Sequence, residues 1–136
     1  MLKAKLKDHG IGRGLGELLE MAVSIGRDYG IGIVPTCDAK YLEVGISSKS
    51  DNVDAILGRL SREDGIRAGD CAFWGDEYVG IEETIFGSDS YMYTEQTSAG
   101  DFFDVSEVSG LRPEGVENVG GGVKRFLNFL AEQENQ

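Results

Sequence analysis

One short apolar run limits this chain more than any other stretch: Cys71-Ala72-Phe73-Trp74, closed by Gly75-Asp76. The run does not alternate polar with apolar residues, and Gly and Asp bound it on both sides. A strand of that kind suits a position buried on both faces, as in a parallel sheet with helices above and below. Ligands of open α/β sheets sit outside the carboxyl ends of the strands. Asp76 would then project from the end of a rigid strand into the ligand crevice. The competing reading is a turn in which Gly75 and Asp76 serve the backbone alone.

Charge narrows the partners. The 136 residues include 24 acidic and 13 basic side chains, a formal net charge of −11. Nucleic-acid binding depends on Lys and Arg neutralising phosphates, so no nucleic acid is expected. Anionic membrane surfaces are disfavoured for the same reason. An acidic surface is compatible with a divalent metal and equally with solubility alone. No run approaches the ~18 apolar residues of a membrane span. The basic start Met-Leu-Lys-Ala-Lys-Leu-Lys lacks an apolar signal core, which reads as a cytoplasmic chain. Cys37 and Cys71 are too few and too far apart for a zinc site or a Cys-x-x-Cys pair. The single histidine, His9, makes a histidine-based triad an unpromising reading.

The rest of the chain alternates helical and strand patterns. Leu15, Leu18, Leu19 and Ala22 fall at helical spacing, and the helix should end near residues 28–30. The glycines at 10, 12, 14 and 16 do not fit Gly-x-Gly-x-x-Gly, because Leu15 takes the third glycine position. Strands are expected at 31–36 and 41–47, joined by a turn at 37–40. The second of these alternates Leu42, Val44 and Ile46 with Tyr41, Glu43 and Gly45. A helix over 50–61 follows, with Val53, Ile56, Leu57 and Leu60 on one face. Beyond the strand at 71–75, a short helix is expected at 79–86 and a strand at 91–93. Residues 102–105 read as an edge strand or packed segment, and 109–119 as loop. Gly120-Gly121-Gly122 leads into a final amphipathic helix with Val123, Phe126, Leu127 and Leu130. By pattern alone, strand 41–47, helix 50–61 and strand 71–75 form one right-handed crossover in one α/β sheet.

Lys49 does not suit its place. Ser50 is the expected N-cap of helix 50–61, and Asp51 suits its first turn. A cation beside a helix N-terminus is unfavourable by up to about 1 kcal/mol, whereas a bound anion there would reverse the sign. Ser48, Lys49 and Ser50 are therefore the candidate phosphate-binding residues. A lysine that simply reaches into solvent is the alternative.

These residues together resemble the haloacid dehalogenase superfamily, in its sugar-phosphate and sucrose-phosphate phosphatase-like branch with an α/β cap. The resemblance rests on Tyr41-Leu42-Glu43-Val44, then Lys49 opening a helix, then Phe73-Trp74-Gly75-Asp76, in that order. Gly87-Ser88-Asp89-Ser90-Tyr91-Met92, Phe102-Phe103-Asp104-Val105 and Gly120-Gly121-Gly122 extend it. It implies an α/β chain in which 1–47 is the end of a cap and 48–136 the carboxyl half of a Rossmann-like parallel-sheet core. It also implies Mg²⁺-dependent hydrolysis of a small phosphorylated metabolite through an aspartate nucleophile. Lys49 would be the catalytic lysine that compensates charge, and Asp76 the metal-binding acid.

Two features depart from that pattern. No Asp-x-Asp nucleophile motif occurs anywhere in the chain. The acid usual four residues beyond the Gly-Asp aspartate is Gly80 here, with Glu77, Glu82 and Glu83 as possible substitutes. The resemblance therefore implies a chain inactive alone, paired with an identical copy or with a companion chain carrying the missing half. A non-catalytic interaction or regulatory module is the alternative, and a ligand-binding α/β domain unrelated to phosphate is a third.

Overall fold

The computed structural model describes residues 15–37, 42–45, 48–80 and 85–135. The expectations for His9, the 38–40 turn, Tyr41, residues 46–47, Glu82 and Glu83 lie outside them. The chain is α/β, with two separate sheets. One has two antiparallel strands, and the other has three parallel strands flanked by helices.

Helix α1 (Leu15–Asp28) has Glu17 in its first turn and Arg27 in its last, both favourable to the helix dipole. Its period buries Leu19 and half-buries Leu18 and Ala22. Gly30 (φ 71°) ends it in the left-handed conformation that glycine adopts without cost. The helix packs on β1 (Val34–Cys37) and β2 (Leu42–Gly45). These strands form a hairpin in which Val34 faces Gly45 and Cys37 faces Leu42. The hairpin stands apart from the main sheet, so the one-sheet crossover drawn from pattern alone does not form.

Helix α2 (Lys49–Asp64) buries Leu57 and half-buries Val53 and Leu60. Gly65 (φ 71°) closes it, its N–H reaching the Ser61 carbonyl at 3.2 Å. Ser48 rather than Ser50 is the N-cap, and Ser50 sits in the first turn. A 3₁₀ turn at Ala68–Asp70 then leads to β3 (Ala72–Gly75). The Arg67 N–H donates to the Asp70 carboxylate, which holds that acid below its usual pKa.

The main sheet has the order β3, β4 (Asp101–Asp104), β5 (Val116–Asn118), all parallel. Phe73 stacks on Phe102 at 4.7 Å on one face, with Tyr93 against Phe102 at 5.0 Å. Trp74 and Phe103 meet at 4.7 Å on the other face. There α3 (Gly122–Glu134) lays Phe126 and Phe129 on Trp74 at 5.5 and 4.8 Å. On the Phe102 side, α2 packs against the 3₁₀ turn Ser88–Met92, and the Thr94 hydroxyl donates to Asp54 at 2.6 Å. The sheet is parallel, as the unalternated run suggests, but the run is less buried than its pattern predicts. Ala72 is exposed and Phe73 and Trp74 are half-buried, because β3 is the outermost of the described strands.

Four local expectations are corrected. Residues 91–93 are not a strand, because the chain coils into the 88–92 turn as Asp89 folds back on β3. Strand β4 is central rather than an edge, with β3 and β5 on either side. Part of the expected loop at 109–119 is β5, whose Val-Glu-Asn sequence gives almost no strand signal. Val79 and Gly80 are not helical. Among the described residues no helix is long and apolar enough to cross a membrane.

Candidate functional site

The site grows from the carboxyl end of β3. Gly75 ends the strand because a Cβ there would run into the carboxylate of Asp89. Asp89 is buried, and its Oδ2 accepts the N–H groups of Asp76 at 2.9 Å and Glu77 at 2.8 Å. Its own N–H donates to the Glu77 carbonyl at 3.1 Å. The result is a tight return in which one carboxylate fixes the turn beyond the strand. Its Oδ1 receives the ammonium of Lys49, which crosses from the start of α2.

That ion pair accounts for the misplaced cation. The anion that offsets Lys49 at the helix start is a side chain of the same molecule. The lysine side chain nevertheless keeps 47% exposure, while the Asp89 side chain keeps 6%. Ser48 and Ser50 bond to each other through their hydroxyls, and no side chain caps the α2 amides. Ser48, Lys49 and Ser50 are thus gathered at one helix start. Asp89 ties that start to the turn carrying Asp76, whose own side chain is exposed.

The residues present make only part of a metal site. Two amides occupy the two lone pairs of Asp89 Oδ2, and Lys49 occupies Oδ1. Asp76 remains as one carboxylate. Among the described residues no group of three or more His, Cys, Asp or Glu side chains comes together to hold an ion. Glu77 turns away and accepts the Ser88 hydroxyl at 2.6 Å. Gly80, the departure noted in the sequence, gives its N–H to the Leu111 carbonyl at 2.9 Å.

A second buried acid lies at the carboxyl end of β4. Asp104 is fully buried, with Oδ1 accepting the Ser106 N–H at 2.7 Å and Oδ2 taking Arg112 Nε and the Ser106 hydroxyl. Arg112 also donates to the carbonyls of Val108 at 2.6 Å and Gly110 at 3.2 Å. These bonds tie the 105–112 loop to the end of β4. Tyr78 is buried beside both clusters. Burial, then the negative charges of Asp89 and Asp104, push its phenol pKa upward. Its hydroxyl has no hydrogen-bond partner among the described residues.

A cleft of about 830 Å³ reaches the first turn of α2. Ser50 and Ser90, each one residue beyond a member of the pair, line it together with Phe86, Tyr91, Tyr93 and Pro35. The sequence singles out Lys49 and Asp76 and offers Glu77, Glu82 or Glu83 as the additional acid; the acid that meets Lys49 is Asp89. Asp89 belongs to the Gly87–Met92 stretch that extends the resemblance, but its amide partners are twelve and thirteen residues away, beyond any local turn signal. Asp104 and Arg112 gave no signal that set them apart from other charged residues. No protein-family model, curated protein or solved structure matches the chain.

Proposed function

We propose that this chain is the carboxyl part of a haloacid dehalogenase-like phosphohydrolase acting on a small phosphorylated metabolite. One observation carries the reading: Asp89 joins the lysine at a helix start to the Gly-Asp turn at the carboxyl end of a parallel strand. That arrangement assembles the two motifs on which the resemblance rests. Phosphate would sit against the uncapped first turn of α2, with Ser48 and Ser50 donating and the exposed part of Lys49 compensating charge. Asp76 would be this chain's ligand to Mg²⁺, which when bound neutralises charge on a phosphoryl group. Glu82 or Glu83, outside the described residues, would supply a further ligand, and the nucleophile would come from a polypeptide segment bearing the missing half. The competing reading, a non-catalytic module, draws on one fact: the Asp89 carboxylate is already engaged within the chain.

Titration with inorganic phosphate, followed by NMR of the backbone amides, tests the reading. The amides of 48–52 should move most, and Lys49→Ala should abolish the movement while the remaining spectrum persists. The same chain with Mg²⁺ should not turn over p-nitrophenyl phosphate. Static 48–52 amides alongside shifts elsewhere would remove the phosphate site. Turnover lost in Asp76→Asn would show that an acid of this chain attacks.

A further inference from the structure

We infer that the free edge of β3 and the neighbouring flank of α3 form one surface that binds a second copy of this chain. The inference does not rest on the phosphohydrolase reading. Among the described residues β3 pairs only with β4, so one side of its backbone has no ladder. Its residues Ala72-Phe73-Trp74-Gly75 include no charge and no proline, the devices that usually protect an exposed edge.

Helix α3 extends that surface. The Gly122 N–H donates to the Val105 carbonyl at 2.8 Å, so the helix starts at the carboxyl end of the sheet and runs antiparallel to the strands. It seats Phe126 and Phe129 on Trp74, which belongs to the outermost strand. Its other apolar side chains, Val123, Leu127 and Leu130, are 66%, 56% and 45% exposed. At 100° per residue they form a stripe about 40–100° round the helix from Phe126. Arg125, Asn128 and Glu132, all exposed, lie on the opposite flank of the helix. The connection from β3 to β4 crosses the Phe102 face, where Tyr93 packs. With the right-handed crossover usual for parallel strands, a helix running antiparallel on the other face turns this stripe away from β5 and toward the free edge.

The surface is self-complementary. A two-fold axis normal to the sheet sets β3 antiparallel to its counterpart and α3 antiparallel to its counterpart on the same face. The four-residue edges then continue one sheet across six strands, and the two apolar stripes meet. Charges agree with that orientation: Lys124 borders the stripe near the helix start and Glu134 lies on it near the end. Antiparallel helices bring Lys124 of each copy toward Glu134 of the other.

Sedimentation equilibrium of the full chain tests this between about 1 and 100 µM, where mass action makes a dimer visible. The unchanged chain should show the mass of two copies. Leu127→Asp with Leu130→Asp should weaken association at least about tenfold with unaltered circular dichroism, since both leucines are exposed. Lys124→Glu should weaken it less, and adding Glu134→Lys should restore it. Leu111→Asp, an exposed leucine on the 105–112 loop, should leave the dimer intact. A single-chain mass throughout, whether the β3 edge is bare or taken by another polypeptide, overturns the inference. So does a dimer indifferent to both the leucine and the charge changes.

Discussion

Asp89 and Asp104 are buried carboxylates at the carboxyl ends of β3 and its neighbour β4, and they are held in opposite ways. Asp104 meets Arg112 only eight residues away, and the partners keep 0% and 16% side-chain exposure. Asp89 meets Lys49 forty residues away, and that lysine keeps 47%. The arginine in the closed cluster also holds two carbonyls of its own loop. Among the described residues the lysine in the open cluster makes no other polar contact, and Ser50 beside it lines a cleft. The same chemistry, one carboxylate and one cation, therefore serves as a loop clasp in one place and as an accessible charged edge in the other.

The largest expected effect lies in the closed cluster. Asp104→Ala should destabilise the chain by about 3–5 kcal/mol, because Arg112 would be left charged and nearly buried without an anion. Urea denaturation measures it, and Arg112→Ala should cost a similar amount. If either change costs less than about 1 kcal/mol, water reaches the cluster and the contrast with Asp89 fails.

A smaller loss is expected from the open cluster. Asp89→Ala removes acceptors from two amides at an exposed turn and from a half-exposed lysine, all of which can turn to water. About 1–3 kcal/mol is expected for Asp89→Ala, and below about 1 kcal/mol for Lys49→Met. A double-mutant cycle sharpens the comparison: coupling of Lys49 with Asp89 should be smaller than coupling of Arg112 with Asp104. Equal couplings would mean that Lys49 is as fixed as Arg112 and has no capacity left for a ligand.

The two clusters also differ in how far they could be read in advance. The strand at 71–75 was legible because four apolar residues in a row, ended by Gly-Asp, have few other uses. Lys49 was legible as an electrostatic misfit, and the three helices as periods of Leu, Val and Phe. Asp89 was not placed, because its partners are 12, 13 and 40 residues away and only the tertiary fold brings them together. Strand β5 is not legible in the sequence because its neighbours, not its residues, make it a strand. Val-Glu-Asn extends only because β4 offers it an unpaired edge. The separation of the hairpin from the main sheet was open in the sequence, since periodicity says which segments are strands and not which of them pair.

Tyr78 lies against both clusters and gives the finest comparison. Its hydroxyl is buried without a partner among the described residues, so it contributes a desolvated polar group and no bond. Tyr78→Phe should therefore leave stability at pH 7 unchanged or raise it by up to about 1 kcal/mol. The pH dependence follows from the raised phenol pKa. In the unfolded chain the tyrosine ionises near pH 10, while in the fold burial and the two carboxylates keep it protonated. Above about pH 10 the unfolded state therefore binds fewer protons than the folded one, and stability falls as pH rises. Phenylalanine cannot ionise, so the variant escapes this loss. Its advantage should widen by up to about 1.4 kcal/mol per pH unit above 10, while other titrations are shared by both proteins. Paired urea midpoints at pH 7 and in the alkaline range measure the gap. A gap that stays constant would mean that Tyr78 ionises as freely in the fold as outside it, and that neither carboxylate is near enough to resist a second negative charge.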